Sequence, residues 1–229
     1  MKDIFGEALV DFYNGNSESL LINNTYGEPE EMPLEVFFRE KEDLTLLEQT
    51  ALLHCKGTVL DVGAGAGAIS LLLQDNFETT AIELSEGACQ VMKALGVRNG
   101  IIGDVFDYNA GKFDTIILLM NGIGLVGKLE KLSTALAHFK SLLNPNGQIL
   151  LDSSDISYLY EEQELPSKHY YGELEYQYEY KGKKSTWFKW LYVDFETLVK
   201  EASNVDLTCE LLFEDENDQY LAKLTKGKA

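Results

Sequence analysis

Residues 58–73, TVLDVGAGAGAISLLL, decide the fold. The apolar side chains of Val59, Leu60 and Val62 predict a buried strand, and the apolar residues from Ile69 to Leu73, without a helix breaker among them, predict the start of a helix. Between them glycines alternate with alanines, and a turn that lacks Cβ atoms lets backbone N–H groups approach a ligand closely. The stretch therefore predicts a strand, a glycine turn and a helix that together bind a nucleotide-like molecule.

The following residues repeat this alternation of strands and helices. Further strands are predicted over residues 79–84, 100–104, 113–120 and 148–151. Helical patterns lie between several of them; Ser85 and Gly96 are expected to cap the helix that follows the second strand. Strands and helices that alternate in this way form right-handed crossovers and a parallel sheet.

The regions that flank this alternation have different patterns. Residues 1–56 predict a helical cover, with a loop over residues 23–33, and residues 57–155 form the core that binds the ligand. Residues 156–193 predict an inserted aromatic hairpin, and residues 194–229 a helix followed by a pair of strands. We expect these parts to form a single domain, 1–229.

The aromatic hairpin has two interpretations. Its alternating tyrosines are typical of core packing or of a contact between subunits, which leaves a homodimer open. The hairpin could instead be a lid over the second substrate, in which four aromatic residues face that substrate: Tyr170, Tyr171, Trp187 and Trp190.

The composition narrows the class of partner. Nineteen basic and thirty-eight acidic side chains give a net charge of −19, which disfavours binding to nucleic acid or to an anionic membrane. The cysteines Cys55, Cys89 and Cys209 are scattered, as in proteins of a reducing compartment. Neither a signal peptide nor an apolar run of about 18 residues is evident, so we expect a cytoplasmic protein without a membrane span.

Polar side chains stand at or just after the ends of the predicted strands. In open parallel sheets, ligands bind beyond the carboxyl ends of the strands. The polar residues in these positions are Asp61, Glu83, Asp104, Asn121 and Asp152.

The glycine turn fits two patterns. The spacing of Gly63, Gly65 and Ala68 is that of dinucleotide-binding turns, which leaves an NAD-dependent oxidoreductase as an alternative. Asp61, however, would place a negative charge beside the pyrophosphate of a dinucleotide. The same carboxylate favours a cationic ligand.

Five segments in order resemble the class I S-adenosylmethionine-dependent methyltransferases: VLDVGAGAG, AIEL, GDVFDY, KFDTIILLMNG and LLNPNGQILLDSSD. The resemblance implies an α/β, Rossmann-like fold. Its mostly parallel seven-stranded sheet would carry helices on both faces and an antiparallel C-terminal strand. It also implies S-adenosyl-L-methionine as the cofactor.

The resemblance further implies roles for particular residues. Glu83 would hold the ribose hydroxyls, Asp104 the adenine amino group, and Asp61 the ammonium of the methionine part. The full set of implied cofactor-binding residues is Asp61, Gly63, Ala64, Gly65, Gly67, Glu83, Leu84, Asp104, Val105, Met120 and Asn121.

The acceptor of the methyl group is less clearly indicated. Several methylases of nucleobases or glutamine amides in this family carry a proline pair after the fourth strand, whereas this chain has Asn121-Gly122 there. With the acidic charge, this favours a small-molecule acceptor; a protein side chain is the alternative. His169, in the inserted segment, is a candidate for a catalytic base. The histidines lack metal-ligand spacing, so no metal is expected.

Overall fold

A computed structural model describes residues 2–16, 18–161 and 164–227. Its helices are α1 (Ile4–Tyr13), α2 (Leu46–His54), α3 (Ala68–Leu73), α4 (Glu86–Leu95), α5 (Leu132–Ser141) and α6 (Phe195–Ser203). Its strands are β1 (Leu20–Asn24), β2 (Glu30–Met32), β3 (Thr58–Val62), β4 (Glu78–Glu83), β5 (Gly100–Ile102), β6 (Phe113–Leu118), β7 (Leu143–Ser154), β8 (Glu173–Tyr180), β9 (Lys183–Lys184), β10 (Phe188–Leu191), β11 (Leu207–Glu214) and β12 (Gln219–Lys226).

A seven-stranded sheet has the strand order β11-β12-β7-β6-β3-β4-β5. Strands β4 and β5 pair in parallel, as do β6 and β7, and β12 is antiparallel to both of its neighbours. This confirms the predicted fold class, including the antiparallel strand near the C-terminus. No helix in the described part of the chain is both long enough and apolar enough to cross a membrane.

The chain divides into two compact units. The first comprises Met1–Leu44, Asp61–Tyr108 and Glu175–Phe188; the second comprises Thr45–Leu60, Asn109–Leu174 and Lys189–Ala229. The four sequence segments predicted above remain predictions.

In the first unit, the N-terminal segment differs from the expected helical cover. Strand β1 pairs with β2 and also with β8, so residues 20–32 contribute to a sheet in which β9 pairs with β8. Beyond it, Leu34–Phe37 and Lys41–Asp43 form short 3-10 turns. The prediction of a loop over residues 23–33 is therefore wrong in part, since parts of β1 and β2 lie in this range. Strand β1 pairs with β8, about 150 residues away, and such a pairing leaves no signal in the local sequence.

Strand β8 buries its aromatic face within the first unit. Tyr180 is 1% exposed and packs in one cluster with Ile4 and Leu9 of α1. The Tyr178 ring stacks on Phe5, with 5.5 Å between the ring centroids. Core packing is thus the interpretation that fits the tyrosines of β8.

In the second unit, strands β6 and β7 form the centre of the core. Ile116, Ile117 and Leu118 are fully buried, as expected for a strand covered on both faces. Helix α2 begins after Thr45, whose side chain forms a capping box with Glu48.

Candidate functional site

Asp61 lies near the carboxyl end of β3 and is only 4% exposed. Its Oδ2 accepts a hydrogen bond of 2.6 Å from the Ser70 hydroxyl on α3. Burial, together with the nearby charge of Glu83, raises the pKa of Asp61 to about 6, against the effect of the Ser70 bond. A buried carboxylate with only neutral hydrogen-bond donors favours a cationic partner.

The glycine turn takes a backbone conformation that suits glycine. Gly63 has a φ of 68°, and no atom lies within 4 Å of the position that a Cβ would occupy there. Gly67 has a φ of 90°, and a Cβ on it would lie 2.6 Å from the Val97 side chain. The first glycine therefore leaves room above the turn, while the other lets the turn pack tightly on α4 and the residues that follow it.

The carboxylate of Glu83, at the end of β4, is held by two backbone amides. Its Oε2 accepts from the Gly65 N–H at 3.0 Å, and its Oε1 accepts from the Ser85 N–H at 2.9 Å. Burial raises the pKa of Glu83 even though these N–H groups lower it. Each carboxylate oxygen keeps a further lone pair, so Glu83 can accept additional hydrogen bonds from a ligand in a fixed orientation.

Asp104 follows the end of the strand next to β4, because β5 pairs in parallel with β4 and the Gly103 N–H bonds to the Glu83 carbonyl oxygen at 2.9 Å. Asp104 Oδ1 accepts from the Phe106 N–H, also at 2.9 Å. Around these acids Leu84 is 69% exposed and Phe106 is 37% exposed. Carboxylate acceptors next to exposed apolar side chains suit a flat ring with attached hydroxyl and amino groups.

The remaining predicted residues of the first unit belong to the same region. Ala64 is partly buried within the glycine turn, and its N–H bonds to the Ile82 carbonyl oxygen. Val105 is 5% exposed and begins the 3-10 turn that Asp104 caps.

Phe37, which no sequence signal singled out, also lies against the glycine turn. A Cβ on Gly65 would be 3.1 Å from the Phe37 ring. Phe37 is part of an apolar pattern that predicted a helix, so nothing separated it from ordinary packing residues. Its place beside Gly65 is visible only in the folded chain.

Met120 and Asn121 lie in the second unit, on the turn after β6. Their φ angles are 61° and 54°, a left-handed conformation that costs energy for residues other than glycine. The Asn121 Oδ1 accepts from the Ser154 hydroxyl at 3.1 Å, and Met120 is 38% exposed. The turn is therefore specifically held, and the predicted contact of these two residues with the cofactor remains a prediction.

Asp152 supports the same turn from strand β7. It is 1% exposed, Gln219 donates to its Oδ2 at 3.3 Å, and the backbone N–H groups of Asn121 and Gly122 lie close enough to lower its pKa. Burial, together with the charge of Glu48, raises the pKa of Asp152 to about 7. Its Oδ1 has no partner among the described residues, so Asp152 is a second acid kept at the cost of stability.

The inserted segment contributes few groups with catalytic features. His169 is exposed. Tyr170 and Tyr171 donate their hydroxyls to Asp194 at 2.5 Å and to Asp155 at 2.8 Å, respectively. Burial raises the pKa of both phenols above the usual value, so they act as hydrogen-bond donors rather than as bases.

The two tryptophans named for the lid differ in their surroundings. The Trp190 indole occupies the space where Gly124 would carry a Cβ, so it packs on the turn after β6. Trp187 is 47% exposed and is therefore the one whose replacement would leave the core intact. Among residues 2–16, 18–161 and 164–227, no group of three histidine, cysteine or acidic residues is arranged to hold a metal ion.

Comparison with known proteins identifies the family. A family model described as "Methyltransferase domain" matches residues 37–202. A crystal structure of a SAM-dependent methyltransferase from Bacteroides fragilis, in complex with S-adenosyl-L-homocysteine, is 40% identical in sequence with a TM-score of 0.93. The similarity covers 99% of this chain and 96% of that one. The chain belongs to the SAM-dependent methyltransferases.

Other relatives of the methyltransferase are more distant. The sugar N-methyltransferase KedS8 from Streptoalloteichus sp. ATCC 53650 has a TM-score of 0.59 at 15% identity, over 90% of this chain and 97% of that one, which shows a shared fold alone. The ribosomal RNA small subunit methyltransferase C of Enterobacter sp. (strain 638) is 39% identical over 92 residues. That match spans 36% of the methyltransferase and only 27% of the relative's length.

Proposed function

We propose that the methyltransferase binds S-adenosylmethionine in its first unit and transfers the methyl group to a small-molecule acceptor. The cofactor supplies a methyl group already activated by its positively charged sulfur, so the enzyme must mainly desolvate and align the acceptor atom. The NAD alternative is set aside because the whole chain aligns with a SAM-dependent relative.

The observation that carries the cofactor proposal is the fixed carboxylate of Glu83. Two backbone N–H groups orient it, and its free lone pairs can accept both ribose hydroxyls. Asp104 then accepts from the adenine amino group beside Leu84 and Val105. The donor and acceptor groups of the first unit thus fit an adenosine.

Asp61 completes this set through its charge. Its carboxylate is buried with a neutral donor only, so it complements the ammonium of the methionine part, directly or through water. The open space above Gly63 leaves room for that part beside the turn.

A small-molecule acceptor is supported by charge and by the turn after β6. A net charge of −19 opposes the phosphate backbone of RNA, and the turn carries Asn121-Gly122 without a proline pair. RNA is the second candidate because the relative from Enterobacter acts on ribosomal RNA according to its name. A protein side chain is the third.

One experiment separates these acceptors. The methyltransferase is incubated with S-adenosylmethionine labelled on the methyl group and, separately, with a low-molecular-mass cell-extract fraction, with undermethylated ribosomal RNA, and with the protein fraction. We expect label in the low-molecular-mass fraction, with Glu83→Gln as the inactive control. Label found in RNA or protein alone would overturn the small-molecule proposal and leave the cofactor proposal standing.

Asp61→Asn is expected to change stability and cofactor binding in opposite directions. The folded-state pKa of Asp61, about 6, exceeds its ordinary value of 3.8, so the folded state binds the extra proton. The free energy of unfolding of the wild type therefore falls by up to about 2–3 kcal/mol as the pH rises from about 4 to about 6, and it stays lower above pH 6. Asn keeps the acceptor for Ser70 without the charge.

We expect Asp61→Asn to unfold at higher temperature than wild type at pH 7.5, with the difference vanishing near pH 4. Its Kd for S-adenosylhomocysteine should rise by roughly tenfold, because the ammonium loses its counter-charge. Thermal unfolding and calorimetry measure both effects. The matched control is Asp107→Asn, an exposed acid of the same unit that should change neither. A less stable Asp61→Asn protein with wild-type affinity would contradict the assignment.

A further inference from the structure

The carboxylate of Asp3 connects the N-terminal helix with the end of strand β4. Its Oδ1 caps α1 by accepting from the Gly6 N–H at 2.9 Å. Its Oδ2 accepts from the Ser85 hydroxyl at 2.8 Å and from the Gly87 N–H at 2.9 Å. A helix cap requires only the first of these bonds, so the other oxygen serves α4 instead.

Two glycines allow Asp3 to reach this position. A Cβ on Gly87 would lie 2.5 Å from the backbone carbonyl carbon of Gly6, so the two backbones are in direct contact. Farther along the helices, Ala8 of α1 and Ala88 of α4 share a core cluster with Ala66 of the glycine turn. Helix α1 is therefore packed closely against the elements that carry the proposed cofactor site.

Ser85 forms hydrogen bonds with both Asp3 and Glu83. Its hydroxyl donates to Asp3 and accepts from the Ala88 N–H at 3.0 Å, which fixes the first turn of α4. Its backbone N–H donates to Glu83 Oε1, and the other oxygen of Glu83 accepts from the Gly65 N–H. An unbroken chain of hydrogen bonds thus leads from α1 through Ser85 and Glu83 to the glycine turn.

We propose that Asp3 is a positioning residue for the cofactor site, and that helix α1 and the bound cofactor stabilise each other through Asp3, Ser85 and Glu83. The proposal rests on the proposed role of Glu83 as the ligand of the ribose. Asp3 fixes Ser85, Ser85 fixes one oxygen of Glu83, and a carboxylate held in one orientation binds two hydroxyls with less loss of entropy. Because such coupling is reciprocal, the cofactor must in turn stabilise α1.

The test compares two acids of the same helix. Asp11, near the other end of α1, accepts from Lys181 Nζ at 2.6 Å and from the Tyr180 hydroxyl at 3.1 Å. Asp3→Ala and Asp11→Ala each remove a tether of α1, but only Asp3 leads to Glu83. Calorimetry with S-adenosylhomocysteine is carried out well below the unfolding temperature of each variant.

We expect Asp3→Ala to raise the Kd for S-adenosylhomocysteine by about five- to twentyfold, and Asp11→Ala by less than about twofold. Equal effects of the two variants would assign the loss to general loosening of α1 and overturn the proposal. A wild-type Kd for Asp3→Ala would overturn it as well.

A second measurement covers the case in which Asp3→Ala folds poorly. Ser85→Ala removes the hydroxyl that donates to Asp3 and keeps the backbone N–H that donates to Glu83, so this single variant should also raise the Kd for S-adenosylhomocysteine. Where Asp3→Ala folds, the double variant should lose no more affinity than the more affected single variant, because both substitutions break the same hydrogen bond. Additive losses of affinity in the double variant would contradict the proposed series of hydrogen bonds. In the wild type, S-adenosylhomocysteine should slow amide hydrogen exchange in α1, and unchanged exchange would also contradict the proposal. Failure of the wild type to bind S-adenosylhomocysteine would instead contradict the proposed function.

Discussion

Glu83→Gln is expected to weaken binding of S-adenosylhomocysteine by roughly 100-fold or more, a larger effect than we expect from any other single substitution. Both oxygens of Glu83 accept from backbone N–H groups, those of Gly65 and Ser85. The glutamine amide must place its NH₂ group against one of these donors. The substitution therefore misplaces the side chain and also weakens its hydrogen bonds to the ribose hydroxyls.

The matched control for this variant is Glu86→Gln. Glu86 lies in the first turn of α4, three residues from Glu83, and its side chain is exposed. Its replacement should change the Kd by less than about twofold. Calorimetric titration of both variants measures the difference, and a Glu83→Gln protein that binds with wild-type affinity would show that the ribose is held elsewhere.

Gly63→Ala should strongly weaken cofactor binding while the protein still folds. The φ of Gly63 is 68°, and a Cβ there would point into open space, so the folded chain bears only the strain of a left-handed alanine, about 1–2 kcal/mol. The same Cβ would occupy the space proposed for the methionine part of the cofactor. We expect a loss of affinity of roughly 50-fold or more, because overlap with a ligand cannot be relieved by a small shift.

Gly182 provides a closely matched control. Its φ is 67°, and it too has no atom within 4 Å of the position that a Cβ would take, but it lies on the turn after β8. Gly182→Ala should lower the unfolding temperature by about as much as Gly63→Ala and leave the Kd for S-adenosylhomocysteine unchanged. Equal Kd values for the two variants would contradict the proposed position of the cofactor.

Local signals predicted the central elements well. Ser85 caps α4, Gly96 ends it in a left-handed conformation, and Asp194 caps α6, as their residue types indicate. The buried strands β3 and β6 also follow directly from their apolar runs. These features depend on interactions within a few residues, which a sequence pattern reflects.

Features that depend on distant partners could not be predicted. Strand β1 contains the polar Asn23 and Asn24 and forms because β8 pairs with it. The inserted tyrosines of β8 are buried because the N-terminal helix covers them, and nothing near either segment indicates the other. The N-terminal segment and its pairing with the insertion were therefore the least accurately predicted features, whereas the strands of the predicted hairpin are present as β8 and β10.

The same distinction applies to the candidate site. The sequence pattern put Asp61, Glu83 and Asp104 at the ends of strands, because parallel strands align their carboxyl ends. It did not indicate that Asp61 bonds to Ser70, that Glu83 is held by two amides, or that Asp3 reaches Ser85. These contacts depend on how close the helices approach the sheet, which is decided by packing.

Binding of S-adenosylmethionine by the first unit, through Glu83 and the glycine turn, can be tested by NMR mapping of the isotope-labelled protein with S-adenosylhomocysteine. We expect the largest shifts of amide resonances at Gly63 to Gly67, at Ser85 and at Phe106, and we expect NAD at the same concentration to leave these resonances unchanged. Saturable binding of S-adenosylhomocysteine that leaves these amides unshifted, or equal shifts with NAD, would contradict this mode of binding.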